Sequence, residues 1–210
     1  DYVAFIDSDI ESYVWNIRRD FYPQFWDPRR QAKIFKILPW EFLDYEYSIY
    51  IDGSIAIKSM ASELVEKFLK KHDMAIFPHS RRDDIYDEYE VDIRIHRGEP
   101  SFIKEQAINK YKKLGIPNKT GLWECGILIR RHTEKLKRMH ETWWAEICAY
   151  TNSDQIPLIY AARLHDFKIN PIKPGTVYES PYFDYVTHEQ TGLYCLDKPI
   201  PEKEITITEG

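Results

Sequence analysis

The run Tyr47-Ser48-Ile49-Tyr50-Ile51 leads straight into Asp52-Gly53-Ser54-Ile55. A short, nearly continuous apolar stretch reads as a strand covered on both faces, which is the habit of parallel strands in α/β sheets. Ligands in such sheets sit at the carboxyl ends of the strands, and that is where Asp52 falls. Gly53 lets the backbone turn or come close to a ligand. Ser54 adds a hydroxyl, so the group offers oxygen ligands to a hard divalent cation. A strand-end Asp that simply caps a turn explains the same residues equally well.

The rest of the chain alternates in the same way. Tyr2 to Ile6 is a second apolar run, closed by Asp7, and Trp15-Asn16-Ile17 is a third. Asp27 before Pro28 marks a helix start, because Asp caps free N–H groups and Pro is tolerated in the first turn. Ser62 to Lys71 is amphipathic at helical spacing. Met74 to Phe77 reads as a strand, and Asp83 to Lys113 as helix with a break near Gly98-Glu99-Pro100. Cys125 to Ile129 is a buried strand, Glu134 to Ala149 and Asp154 to Leu164 are helices, and Lys168 to Ile172 is a last short strand. This alternation predicts one α/β domain over residues 1–210 with a mainly parallel sheet flanked by helices. Residues 174–210 lose periodicity and are expected to form an irregular tail over the sheet edge or across the site.

Composition narrows the partners. With 29 basic and 34 acidic residues the net charge is -5, which excludes a general nucleic-acid or membrane-surface binder. No apolar run reaches the roughly 20 residues that a membrane-spanning helix needs. Three scattered cysteines, Cys125, Cys148 and Cys195, show no zinc or disulfide spacing, and no signal peptide opens the chain. A cytoplasmic, reducing setting is the expectation. Aromatic residues make up 15% of the chain, which suits carbohydrate faces as well as cores.

An ordered set of motifs then narrows the class. It comprises Asp27-Pro28-Arg29-Arg30 with Lys33, Lys36 and Pro39, then Tyr47 to Gly53, then His79, Arg82, Tyr86 and Glu88. It continues through Gln106, Tyr111, Gly121-Leu122, Glu124, Arg130-Arg131-His132, Trp143-Trp144 and Asp154-Gln155. Together these residues resemble the TOD/MUCI-type glycosyltransferase-like family, formerly a domain of unknown function, over Tyr2 to Pro174. The resemblance implies a GT-A-like, Rossmann-like fold. It implies transfer of a sugar from a nucleotide-diphosphate donor to a carbohydrate or glycoconjugate acceptor, in polysaccharide biosynthesis. It also implies a Mn2+ or Mg2+ cofactor.

Asp52-Gly53-Ser54 sits where that superfamily carries Asp-x-Asp, but the second carboxylate is missing. Leu122 to Ile129 resembles the superfamily strand that contacts donor sugar or acceptor, and Asp154-Gln155 its later helix-start pair. Ser153 stands where the family usually has Arg. The initial strand and loop that contact base and ribose have no counterpart in this sequence.

The chemistry of glycosyl transfer assigns candidate roles. Negative charge grows on the departing diphosphate, and a cation with Lys or Arg clamps stabilises it. Asp52, Ser54, His79 and His188 are the candidate metal ligands. Arg30, Lys33 and Lys36, at three-residue intervals on one helix, are candidate phosphate contacts; Asp7, Gly53, Arg82 and Gln155 complete the substrate-binding set. Each has a plainer alternative: a solvated helix face for the basic residues, a turn for His79.

Glu124 and Asp154 are the candidate catalytic carboxylates. An inverting transfer needs one to accept the acceptor's hydroxyl proton, whereas a retaining transfer does not. Pairing of Glu124 with Arg130 or Arg131, or helix capping by Asp154, would explain them structurally. The competing readings are a non-catalytic carbohydrate-binding or scaffold domain, which the missing second carboxylate and Ser153 favour, and a hydrolase built on the Glu124 and Asp154 pair.

Overall fold

The computed structural model describes residues 1–20, 27–95, 99–151 and 153–186. In chain order the first elements are β1 (Val3–Phe5), β2 (Asn16–Arg18), α1 (Pro28–Ile37), β3 (Tyr47–Ile51) and β4 (Ile55–Ile57). Next come α2 (Ala61–Phe68), β5 (Met74–Pro78), α3 (Ile85–Arg94) and α4 (Ser101–Lys113). The last are β6 (Trp123–Arg131), α5 (Glu134–Ala149), α6 (Gln155–Leu164), β7 (Asn170–Pro171) and β8 (Phe183–Tyr185). The α/β class therefore holds.

The expectation of a mainly parallel sheet is corrected. The central sheet has the order β3-β6-β5-β7, with β6 antiparallel to both neighbours and β5 parallel to β7. Strands β3, β5 and β7 run the same way, and β6 is threaded between them in reverse. Helix parity explains this. One helix between two strands returns the chain to the starting edge of the sheet and sets the next strand parallel, as with α2 between β3 and β5. Two helices leave the chain at the edge where it exited, so α3 and α4 deliver β6 reversed. By the same rule α5 and α6 deliver β7 opposite to β6.

Local chemistry sets the helix ends. The Asp27 side chain accepts from the Arg29 amide, with Pro28 in the first turn of α1, as the sequence indicates. Asp84 and Thr133 cap α3 and α5 through their side-chain oxygens. β7 is only two residues long; Pro171 lacks an N–H, which confines it to an edge position.

Apolar residues pack on both faces of the sheet. Met74, Ile76 and Leu128 face Ile37, Met139, Trp143 and Leu158 from the helices α1, α5 and α6. Ala75, Phe77, Ile127 and Ile129 face Leu64, Phe68, Ile55 and Phe183 on the other side. This two-sided burial is why β5 and β6 read as continuous apolar runs. The pairing of β5 with β6 slips between Ala75, opposite Ile129, and Phe77, opposite Glu124. Such irregularities re-aim side chains, and this one lies where Glu124, Cys125 and Gly126 reach the site.

Candidate functional site

A cavity of about 520 Å³ opens at the carboxyl end of β3. Its walls come from α1 (Arg29, Lys33, Lys36), the end of β3 and the following turn (Tyr50, Asp52, Ser54), β6 (Glu124, Cys125, Gly126) and the start of α6 (Ser153, Asp154, Gln155). Val177, Tyr178 and Tyr185 supply the remaining wall. The three carboxylates Asp52, Glu124 and Asp154 thus share one cavity, although they are far apart in the sequence.

Lys36 is the electrostatic hinge of the site. Its side chain is 5% exposed, with Nζ 2.7 Å from Asp154 Oδ2 and 3.5 Å from Asp52 Oδ1. Lys33 Nζ lies 3.1 Å from the same Asp154 oxygen. Burial opposes the Lys36 charge, but Asp154 and then Asp52 outweigh it and hold the ammonium well above its ordinary pKa. Burial likewise opposes the Asp154 charge, and Lys33 and Lys36 outweigh it, holding that carboxyl well below the usual range. Asp154 occupies the N-cap position of α6 but makes no side-chain cap bond, because its carboxylate is turned to the lysines. Its backbone carbonyl accepts from the indole of buried Trp143 at 2.8 Å.

Asp52 is the most open of the three, 44% exposed at its side chain. Its Oδ1 accepts from the Tyr50 hydroxyl at 2.8 Å. A Cβ added to Gly126 would stand 3.2 Å from Asp52 Oδ2, so the bare glycine leaves room for this carboxylate. Glu124 is held differently: its Oε1 accepts from the Ser80 amide at 3.2 Å and the Ser80 hydroxyl at 3.1 Å. Neither Arg130 nor Arg131 pairs with it. Buried Arg130, whose pKa burial pushes down to about 9, donates instead to the Lys36 carbonyl at the end of α1. His140 contacts the neighbouring Ile37 carbonyl.

The expected site residues divide cleanly by position. Lys33, Lys36, Asp52, Ser54, Glu124, Asp154 and Gln155 line the cavity. Arg30 does not; it pairs with Glu99 at 2.7 Å and Asp27 at 3.5 Å. Three-residue steps rotate by about 60° on a helix with 3.6 residues per turn, so Arg30 and Lys36 end about 120° apart. Arg29, Lys33 and Lys36, at i, i+4 and i+7, fall within about 60° of one another, and it is Arg29 that joins the cavity. That spacing was present in the sequence.

Asp7 is exposed after β1 and does not line the cavity. Gly53 is exposed outside the lining, and its φ is not positive, so the turn closed by Ile55 N–H to Asp52 O does not require glycine. His79 lies behind Glu124: Nδ1 accepts from the Arg81 and Arg82 amides, and Nε2 is 3.7 Å from Glu124 Oε1. Arg82 is tied to Glu88. His188 lies outside the described residues. Tyr50, Cys125, Val177, Tyr178 and Tyr185 are lining residues without a prior assignment.

Of the candidate metal ligands, Asp52 and Ser54 line the cavity. Among the described residues no three His, Cys, Asp or Glu are grouped to hold a metal. One open carboxylate and a hydroxyl fit a cation that is also held by a ligand's own oxygens, not a complete protein cage. Among the described residues, no helix is long and apolar enough to cross a membrane.

A strand-end carboxylate, two lysines from one helix and two further carboxylates thus surround one polar cavity of ligand size. The chain belongs to the TOD1/MUCI70, glycosyltransferase-like domain family, which it matches over residues 5–174. It is 24% identical over 166 residues to an Arabidopsis thaliana protein named "Probable hexosyltransferase MUCI70", an alignment covering 72% of this chain and 28% of that protein. The chain thus spans about 28% of the length of that relative. No solved structure matches it.

Proposed function

We propose that this domain transfers a hexose-type sugar from a nucleotide-diphosphate donor to a carbohydrate acceptor. One observation carries the reading: Asp52, Glu124 and Asp154 converge with Lys33 and Lys36 on a single cavity at a strand end. The family and the name of the Arabidopsis relative support a sugar as the transferred group.

The cavity's own charges balance, three basic residues (Arg29, Lys33, Lys36) against three acidic ones (Asp52, Glu124, Asp154). A diphosphate adds negative charge, so binding it in a partly dry site calls for a compensating cation. Asp52 and Ser54 are the residues that would hold Mn2+ or Mg2+, which would offset the charge of the diphosphate. Lys33 and Lys36 cannot simply turn to the phosphates, because that would leave half-buried Asp154 unpaired. Their role is to keep Asp154 ionised, fixing the sugar's hydroxyls by charge-assisted hydrogen bonds. Glu124, held by Ser80 with His79 Nε2 3.7 Å away and without a Lys or Arg partner among the described residues, is the carboxylate suited to take the attacking hydroxyl's proton.

Titration calorimetry with a panel of nucleotide sugars, with and without Mn2+, tests this, followed by detection of the elongated acceptor. The expected result is donor binding that needs the metal and disappears in Asp52→Ala. Failure of every nucleotide sugar to bind the wild-type chain in either condition refutes it.

A further inference from the structure

We infer that Tyr178 and Tyr185 form a subsite at the cavity that receives a pyranose ring of the acceptor carbohydrate, a proposal that rests on the transfer reading above. Both rings line the cavity while remaining 50% and 38% exposed. Large aromatic surface is left in water here beside a polar pocket, where a ligand would cover it. The rings meet edge to face, with centroids 5.0 Å apart and planes inclined at 67°.

Both are held rigidly. Tyr185 ends β8, opposite Ile55 of β4, and the Val186 amide donates to Ser54 O at 2.7 Å. That strand pairing ties the ring to the same turn that carries Asp52. Tyr178 sits in a tight turn closed by Thr176 N–H to Glu179 O at 2.9 Å and Glu179 N–H to Thr176 Oγ1 at 3.2 Å. Buried Val177 anchors the turn. Gly175 has φ +95, and a Cβ there would come within 2.1 Å of Glu179 O, so only glycine permits this presentation. Rigid tyrosines offer large amphipathic contact area at small entropic cost.

The inclined pair does not form two parallel walls that would sandwich a planar nucleobase. It suits a puckered ring with C–H groups on its face and hydroxyls at its rim, the first meeting an aromatic face and the second a phenol oxygen. The rings also lie beyond residues 5–174, the span shared with the family. The tyrosines and Asp52 therefore line the same cavity from different parts of the sequence.

The test measures binding directly, without turnover. Calorimetry and saturation-transfer NMR use a panel of neutral and uronic-acid oligosaccharides, with uridine and guanosine diphosphates as controls. Tyr178→Ala and Tyr185→Ala should each weaken a bound oligosaccharide by about tenfold, and the Tyr→Phe variants, which keep the ring faces and lose only the phenol oxygens, should weaken it less, by about threefold. Nucleoside diphosphate affinity should not move. Gly175→Ala, which keeps both tyrosines in the chain but displaces the turn that presents Tyr178, should reproduce the Tyr178→Ala loss. If the alanine variants lose nucleoside diphosphate but keep oligosaccharide, the rings serve the base and the proposal is overturned. It is overturned equally if no oligosaccharide binds, or if the double alanine variant binds like wild type. If oligosaccharide binding is lost as expected while no nucleotide sugar binds the wild type, the transfer reading fails and the subsite stands.

Discussion

Replacing Asp154 by Asn tests the electrostatic frame of the site most sharply. The substitution keeps the side chain's shape and removes the charge that two ammonium groups share, Lys36 at 2.7 Å and Lys33 at 3.1 Å. Removing one partner of a buried ion pair costs about 3–5 kcal/mol, because the other charge is left in a poorly solvated place. Lys36 keeps Asp52 at 3.5 Å, so the lower end, about 3 kcal/mol at pH 7, is expected. The loss must also depend on pH. Asp154 titrates below the usual carboxylate range in the folded state and near 3.9 when unfolded. Its contribution is complete above about pH 4 and fades as the pH falls from there toward the folded pKa. Urea unfolding of both proteins between pH 7 and pH 3 should show a gap that is constant above about pH 5 and narrows below about pH 4, with an unchanged m-value. Pairing the change with Lys36→Met should recover part of the loss, a coupling of about 1–3 kcal/mol. A gap under about 0.5 kcal/mol at pH 7 would refute a buried ion pair at this position.

Other outcomes follow from single contacts. Gly126→Ala places a methyl 3.2 Å from Asp52 Oδ2; metal-dependent donor affinity should drop about tenfold while stability falls by less than about 1 kcal/mol, measured by calorimetry and urea titration. Glu124→Gln should lower kcat by about 10²–10⁴-fold with donor affinity intact, as steady-state kinetics and calorimetry would show. His132 is held neutral by burial, with Arg130 adding to the effect, and its pKa falls to about 4. The unfolded imidazole takes up a proton near pH 6.5 and the folded one only near 4, so this residue removes stability as the pH drops between those values. In His132→Gln the pH profile of unfolding over that window should be flatter than in the wild type.

Much of the frame was legible because local rules and tertiary demands agree in it. Asp27-Pro28 opens α1, Glu134 to Ala149 is one helix, and Cys125 to Ile129 is a strand covered on two faces. Alternation of strands and helices does not by itself set strand direction, which depends on how many helices fill each crossover. The break between α3 and α4, visible at Glu99-Pro100, already implied a reversed β6. Within the site, Asp52, Glu124 and Asp154 could be picked out because each sits at the end or start of a regular element. Arg30 was misplaced because a three-residue interval looks like one helix face over a single step and drifts off it over two. Tyr178 and Tyr185 had no local signature: their position follows from β8 pairing with β4, a contact between residues about 130 apart that no periodicity records.

These two kinds of residue make a site of two halves. The half that meets charge is set by the core: Arg130 and His140 contact the last carbonyls of α1, Trp143 holds the backbone of Asp154, and the lysines between them have little freedom. Displacing any one of these moves an ion pair in a partly buried place, so that half tolerates little change. The aromatic half hangs on one strand pairing and a glycine turn, with its side chains partly in solvent, where substitutions away from special contacts cost at most about 0.5 kcal/mol. The proposed subsite could therefore be altered at Tyr178 and Tyr185 without disturbing the ion pairs of Asp154 with Lys33 and Lys36.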